Sequence, residues 1–404
     1  MTHASRKTIG VIVPEITNTG GVASVADFVI RTVLERTDYR LKVISFAMAA
    51  RDRASLLLTD PKTWARGAVA IDGEFNGTPY RHVGAIFPEI ETRRYLPRNV
   101  LAREVADCDL LQVVSGVPAW ANPVMELGKP VSLQVATLID VERRRLIEGW
   151  RGPVGAWRRL MTHRIRALDD SVLRNVDAVQ VENNWMLEHC KTACEAPDVD
   201  LRFAAPGVDA NFFSSLSDRP PLPGYIITVG RMSDPRKRHM LLLDAYRLLC
   251  DRMESPPRLL LAGPDGPTEV FQDRAIEWGL WDRIDVNVFP SKTELAGLYR
   301  EASAFVLASD EEGFGVTVIE AMASGIPPVS TRSGGPDDII NDGVDGFLVD
   351  RDDAETLAER LYRVASDQNL NRNMGIAARK TAEAKYSEDA TAKAFIEVFD
   401  GLLS

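Results

Sequence analysis

The sequence predicts two doubly wound α/β domains in tandem, and three observations carry that expectation. Short, continuously apolar runs alternate with longer segments of helical period along most of the chain, the signature of βαβ units. The alternation breaks once, at Asp218-Arg-Pro-Pro-Leu-Pro-Gly224, where three prolines and a glycine make a stiff linker. A fresh strand at Tyr225 then restarts it.

Before the break, Thr8–Val13, Leu41–Phe46, Ala85–Phe87, Leu110–Val114, Val131–Val135 and Ala178–Val181 read as buried parallel strands. Segments of helical period, such as Val22–Arg36 and Leu168–Asn175, lie between several of them. After it, Tyr225–Val229, Arg258–Ala262, Asp285–Phe289, Ala304–Leu307 and Pro328–Ser330 read as strands. Arg238–Cys250 and Lys292–Arg300 read as helices, and helices dominate from Ala354 onward. The expected domains are residues 1–221 and 222–388, with a helix over about 389–404 returning to the first. Their sheets are expected to face across a cleft at their carboxyl ends.

Composition narrows the function classes. The 404 residues are 45% apolar and 26% charged, which excludes wholesale disorder. With 48 Lys+Arg against 58 Asp+Glu the net charge is −10, so a general nucleic-acid binder is excluded. The acidity is uneven: residues 222–404 hold 20 Lys+Arg and 31 Asp+Glu, whereas residues 1–221 are almost balanced at 28 and 27. Four cysteines make no disulfide scaffold. Cys190 and Cys194 flank a helix turn beside His189, yet no second ligand pair has zinc-like spacing, so no metal site is expected. Asp107-Cys-Asp109 has a metal-binding form but reads as a turn before a strand. No signal-like apolar segment precedes Thr8 and no run of about 18 apolar residues occurs, so the expected location is cytoplasmic.

The most informative segment is Ser309-Asp-Glu-Glu-Gly-Phe-Gly-Val-Thr-Val-Ile-Glu320-Ala-Met-Ala-Ser-Gly325. A strand ends near Leu307, a glycine loop follows, and a helix runs from Val316 to a stop at Gly325. A helix start flanked by glycine presents free N–H groups and a positive dipole end, suited to a phosphate. Glu320 stands inside an otherwise apolar helix, where a carboxylate is costly unless it bonds something, and sugar hydroxyls are suitable partners.

Glu312 and Glu320 form a Glu-x7-Glu pair, and here the chain resembles glycosyltransferase family 4, the retaining glycosyl transferases group 1 with the GT-B fold. Four further blocks agree in order: Gly20-Gly21-Val22; Pro206-Gly207-Val208-Asp209; Gly230-Arg231 with Lys237; and Gly334-Gly335-Pro336-Asp337-Asp338 with Gly346-Phe347-Leu348-Val349. The resemblance is strongest from Tyr225 to Asp350. It implies two Rossmann-like domains and a nucleoside diphosphate sugar as donor, with no metal and no other cofactor. It further implies that Arg231 and Lys237 clamp the diphosphate and that Glu320 holds the ribose. Glu312 would hold the sugar, and Phe314, Gly315 and Val316 would offer backbone contacts. Gly20, Gly21 and Gly230 would admit close backbone approach. Catalysis would rest on positioning and electrostatic stabilisation, carried by Glu312, Arg231 and Lys237, with a phosphate oxygen taking the acceptor's proton. Arg236 and Arg238 read as solvated charges.

Two features stand apart. The family's histidine at the end of an N-domain strand is replaced by Ala136, with Thr137 or Asp140 as substitutes for bonding the sugar. That departure keeps open a donor-binding relative without transfer activity, or a sugar-nucleotide epimerase. The stretch Val141–Arg166 is rich in arginine with interleaved tryptophans. Arg143, Arg144, Arg145, Trp150, Trp157, Arg158 and Arg159 are therefore candidates for an anionic, lipid-linked acceptor or a membrane surface, against the plainer reading of a solvated helix face.

Overall fold

The structure, a computed structural model, describes residues 6–16, 21–193, 199–215, 222 and 224–404, apart from the side chains of Arg145 and Glu148. The chain divides into two compact units, Met1–Pro206 with Ala392–Ser404, and Gly207–Thr391.

The first unit runs β1 (Thr8–Pro14), α1 (Gly21–Arg36), β2 (Arg40–Phe46), β3 (Ala70–Phe75), β4 (Thr78–Val83), α2 (Asn99–Glu104), β5 (Leu110–Ser115), β6 (Val131–Val135), α3 (Ile139–Glu142), α4 (Arg144–Gly149), α5 (Gly152–Asn175), β7 (Ala178–Val181), α6 (Asn184–Ala193) and β8 (Asp200–Phe203). Its sheet has the order β3-β4-β2-β1-β5-β6-β7-β8, parallel except for the β3–β4 pair. The apolar strands predicted from sequence are buried on both faces, as a sheet covered by helices requires. One face packs Val11 and Val13 against Phe28, Val29 and Val33 of α1.

The second unit runs β9 (Tyr225–Val229), α7 (His239–Arg252), β10 (Arg258–Gly263), α8 (Glu269–Glu277), β11 (Ile284–Val288), α9 (Lys292–Glu301), β12 (Ala304–Leu307), α10 (Val316–Ala323), β13 (Pro328–Thr331), α11 (Gly335–Ile339), β14 (Phe347–Val349), α12 (Ala354–Ser366) and α13 (Gln368–Tyr386). Its parallel sheet has the order β11-β10-β9-β12-β13-β14. The strand order reverses between β9 and β12, where ligands of open α/β sheets bind. The last helix, α14 (Glu388–Leu403), starts in this unit and from Ala392 belongs to the first. There Phe395 meets Phe28 edge-on at 5.4 Å between centroids.

Two sequence expectations need correction. Ala85–Phe87 is not a strand; only Ile86 makes a single bridge, to Leu56. The strand lies just upstream, in the hairpin β3–β4, whose turn residues Asn76 and Gly77 have φ of 48° and 78°. Asn-Gly is the usual signal for such a turn, but the flanking strands are polar and without an apolar run, with β3 at the edge of the sheet. Leu168–Asn175 is helical as expected, as the end of the 24-residue helix α5, whereas β8 and β14 are too short or too polar to stand out in the sequence. The break between units falls before Gly207, ahead of the proline-rich stretch, most of which lies outside the described residues. Gly207–Ser215 packs on the second unit: Val208 N donates to the Tyr386 carbonyl at 2.8 Å, and Arg379 donates to that of Phe213 at 2.5 Å.

Candidate functional site

Two loops at the carboxyl ends of β9 and β12 build the site of the second unit. After β9, Gly230 passes so close to Gly263 that a Cβ on Gly263 would lie 2.0 Å from the Gly230 carbonyl oxygen. Asp265 then accepts from the N–H groups of Met232 (2.6 Å) and Ser233 (3.0 Å), which fixes the loop just beyond Arg231. Asp234 caps the turn Pro235–Lys237 by accepting from Arg236 N. The loop after β12 is joined to this one by Asp310 N donating to the Arg236 carbonyl at 2.8 Å. Glu312 N donates to Ser333 O at 2.8 Å, and Gly335 N to Glu312 O at 3.0 Å. A Cβ on Gly335 would fall 1.8 Å from Phe314 O, so the Gly334-Gly335 block serves this loop's closure.

Side chains from the two loops interleave. Lys237 Nζ lies 2.6 Å from Glu312 Oε1, with the two side chains only 17% and 13% exposed. The Ser309 hydroxyl donates to the same oxygen. Arg236 bridges Asp234 at 2.9 Å and Glu311 at 3.1 Å, while Arg238 faces Asp310 at 3.7 Å and bonds Asp352. Arg236 and Arg238 are therefore not the solvated charges expected from sequence. The basic run 236–238 and the acidic run 310–312 neutralise each other because one backbone hydrogen bond holds the loops side by side. Arg231 projects further, 55% exposed, with Asp234 Oδ2 at 2.9 Å. Burial pushes Asp234 up, but the Arg236 hydrogen bond and charge, helped by Arg231, outweigh it and hold Asp234 at about 2.

Gly315, at φ 107°, opens α10, and the N–H groups of Val316 and Thr317 precede the first intrahelical bond, Val318 N to Gly315 O at 2.9 Å. Phe314 is buried with its ring 5.8 Å from Tyr386, so only its backbone faces the loop. One turn into α10, Glu320 is partly exposed and accepts from the Tyr299 hydroxyl at 3.1 Å through Oε2. Burial raises its pKa to about 7, against the lowering effects of that hydrogen bond and of the Lys292 charge. The structure thus brings Gly230, Arg231, Lys237, Glu312, Phe314, Gly315, Val316 and Glu320 onto two adjoining loops. Cations beside a helix N-terminus suit a diphosphate, and a half-buried carboxylate suits vicinal hydroxyls. Sequence reasoning missed Asp234, Asp265 and Tyr299; the Gly263-Pro-Asp-Gly266 turn after β10 was the available signal for Asp265.

In the first unit, Gly21 is the first residue of α1, and Gly20 lies outside the described residues. The Ala136 carbonyl accepts from Asn183 Nδ2 at 2.9 Å, Thr137 N donates to Gly116 O at 2.9 Å, and Asp140 pairs with Arg166 at 2.7 Å. Arg143 is half-buried, paired with Glu91 and bonded to Thr162 at 3.1 Å, so it is a structural tie. Arg159 donates to the Trp150 carbonyl at 2.7 Å and Arg158 stacks over the Trp150 ring at 5.7 Å. Arg144 and Trp157 are exposed, and the Arg145 side chain lies outside the described set. Asp107 pairs with Lys42 at 2.7 Å and Asp109 accepts from Thr8 N at 2.7 Å. Cys190 is buried on α6 and Cys194 is outside the described residues. Among the described residues no cluster of three metal-ligating side chains occurs, and no helix is long and apolar enough to cross a membrane.

Residues 215–381 match the family described as glycosyl transferases group 1. The chain is 30% identical over 276 residues to a D-inositol 3-phosphate glycosyltransferase of Corynebacterium urealyticum, covering 66% of this chain and 64% of that protein. It is 29% identical over 274 residues to the enzyme of that name from Thermobifida fusca, covering 65% and 62%. The matches thus span less than two thirds of these relatives' length. Among solved structures, sucrose-phosphate synthase from Thermosynechococcus elongatus superposes with a TM-score of 0.71 at 17% identity, over 98% of this chain and 99% of that one. Anabaena Alr3699/HepE in complex with UDP-glucose gives 0.69 at 14% identity, over 97% and 99%.

Proposed function

We propose that the chain, which has the GT-B fold and matches the glycosyl transferases group 1 over residues 215–381, is a member of that family and transfers a sugar from a nucleoside diphosphate sugar to an acceptor hydroxyl, with retention and without a metal. The observation that carries this reading is the Lys237–Glu312 pair at 2.6 Å beside the open start of α10, with Glu320 one turn further. As the glycosidic bond breaks, the departing diphosphate gains charge. Arg231, Lys237 and the Val316 and Thr317 N–H groups stabilise that charge, each such contact worth about 10²–10³ in rate. Glu320 accepts from the ribose hydroxyls and Glu312 from the sugar. The acceptor hydroxyl attacks on the face the diphosphate leaves, and a phosphate oxygen takes its proton.

The printed names of the relatives, and a structural neighbour holding UDP-glucose, support a nucleotide-sugar donor and a phosphorylated polyol acceptor. The basic surface of α4 and α5, where Arg144, Arg158 and Arg164 flank exposed Leu146, Trp157 and Leu160, supports an anionic acceptor or the membrane that presents it. A thermal-shift screen over uridine, guanosine and adenosine diphosphates and their sugars tests the donor, because bound nucleotide stabilises by mass action. Product NMR then reports anomeric configuration, and chelator the metal. No stabilisation by any nucleotide would sink the reading.

A further inference from the structure

Each cation of the loop after β9 already faces a carboxylate. Arg231 and Arg236 face Asp234, Arg238 faces Asp310 and Asp352, and Lys237 faces Glu312. A diphosphate that enters this loop therefore meets cations whose charge is in use. Only the Lys237–Glu312 pair joins a residue that would grip the diphosphate to one that would hold the sugar. Both of its side chains are part-buried, so parting them costs more than parting an exposed ion pair.

The pair can open by side-chain rotation alone, because both backbones are fixed. Glu312 N donates to Ser333 O at 2.8 Å and its carbonyl accepts from Gly335 N at 3.0 Å, while Lys237 N donates to Asp234 O at 3.0 Å. The Lys237 stem crosses Gly230, its Cε 3.5 Å from where a Cβ on that glycine would stand, so the ammonium lies over the carboxyl end of β9. Lys237 and the Ser309 hydroxyl both donate to Glu312 Oε1, and Oε2 accepts from no described residue. Glu312 thus has one oxygen committed to the pair and one open to a ligand.

We propose that the Lys237–Glu312 pair is a latch that weakens the site's hold on a sugar-free nucleoside diphosphate relative to the diphosphate sugar. The proposal rests on the donor reading above. Turning Lys237 to the diphosphate and turning Glu312 to the sugar hydroxyls break the same pair, so a ligand with both groups meets that cost once and gives both residues new partners. A bare diphosphate meets the same cost, leaves Glu312 without its cation, and faces it as a like charge. Once the sugar has moved to the acceptor, Glu312 loses its hydroxyl partners and recaptures Lys237, and the diphosphate is released.

Calorimetry on the full chain tests the latch with UDP and UDP-glucose, GDP and GDP-glucose, and ADP and ADP-glucose, using the base that stabilises the wild type most. Glu312→Gln keeps the shape and removes the charge that holds Lys237. It should bind the bare diphosphate about tenfold or more tighter than wild type, the worth of a charge-assisted hydrogen bond, and shift the ester-to-diphosphate affinity ratio by the same factor. Stopped-flow should show diphosphate dissociation slowed accordingly. Glu311→Gln removes an equal charge from the Arg236 pair and should change either affinity by less than about threefold. In a Lys237→Met background, Glu312→Gln should likewise gain less than about threefold, because no ammonium is there to release. Melting without ligand checks that each variant is folded, and Glu312→Ala, which frees Lys237 equally, is held to the same thresholds. Unchanged or weaker diphosphate binding by folded Glu312→Gln or Glu312→Ala overturns the latch; a lysine that holds Glu312 and phosphate together would give that result. An equal gain in Glu311→Gln, or without Lys237, also overturns it, since general repulsion would then account for the effect. Sugar-ester binding by the wild type with no gain in Glu312→Gln removes the latch alone. Absence of nucleotide binding by both wild type and Glu312→Gln removes the donor reading and the latch with it.

Discussion

Glu320 offers a test in which stability and binding must move in opposite directions. Its carboxyl is raised from 4.5 to about 7, chiefly by burial. Between those values the folded chain keeps a proton that the unfolded chain has lost, so stability falls as pH rises through that window. At one pKa unit per 1.36 kcal/mol the fall is at most about 3 kcal/mol, and less because Glu320 is partly exposed. Ribose hydroxyls need the ionised form as their acceptor, so donor affinity should rise with pH, about tenfold per unit below 7. Glu320→Gln keeps the shape and an acceptor for the Tyr299 hydroxyl but cannot titrate. Free Glu320→Gln should therefore be the more stable protein at pH 8, with weak donor binding that no longer varies with pH. Calorimetry with a nucleotide sugar from pH 5.5 to 8.5 reads the binding, since its diphosphate diester does not itself titrate there. Thermal melts read the stability. Identical pH profiles for wild type and Glu320→Gln would refute the ribose assignment.

Arg231→Ala and Lys237→Ala should each weaken donor binding about 10- to 100-fold, the worth of a charge-assisted hydrogen bond. Only Lys237→Ala should also cost about 2 kcal/mol in urea unfolding, because it strands the part-buried Glu312 whereas Arg231 is largely exposed. Gly335→Ala places a Cβ 1.8 Å from Phe314 O and should destabilise by about 3 kcal/mol or more; a wild-type denaturation midpoint would contradict the close approach. Flotation with anionic vesicles should carry the wild type and lose the Trp157→Ala, Arg158→Gln double variant if the α4–α5 surface meets a membrane.

The second unit was more legible than the first for a physical reason. Its strands are apolar on both faces and its loops close on glycines, so β9, β12, Gly230, Gly315 and Gly335 show in the sequence as runs and punctuation. The polar edge hairpin β3–β4 has no such run. The fate of Arg236 and Arg238 was also hidden. Exposure was the natural reading of Arg236 and Arg238 within a run of three cations, and the hydrogen bond from Asp310 N to Arg236 O, 74 positions apart, is what brings Glu311 and Asp310 to them. Pairings between distant segments are what a single sequence encodes least directly.

The return of α14 to the first unit sets an order of events during synthesis. Phe395 and Phe399 belong to the same core cluster as β1 and α1, and Lys7 bonds the Leu403 carbonyl. That core therefore stays incomplete until Ala392–Ser404 leaves the ribosome, after the whole of Gly207–Thr391 has been made. At roughly 5–20 residues per second, the intervening segment takes about ten to forty seconds. The second unit can fold within that interval, while the first waits with the apolar face of α1 partly uncovered. The half-made chain, and not the finished protein, is then the form that leaves this apolar surface open to wrong association.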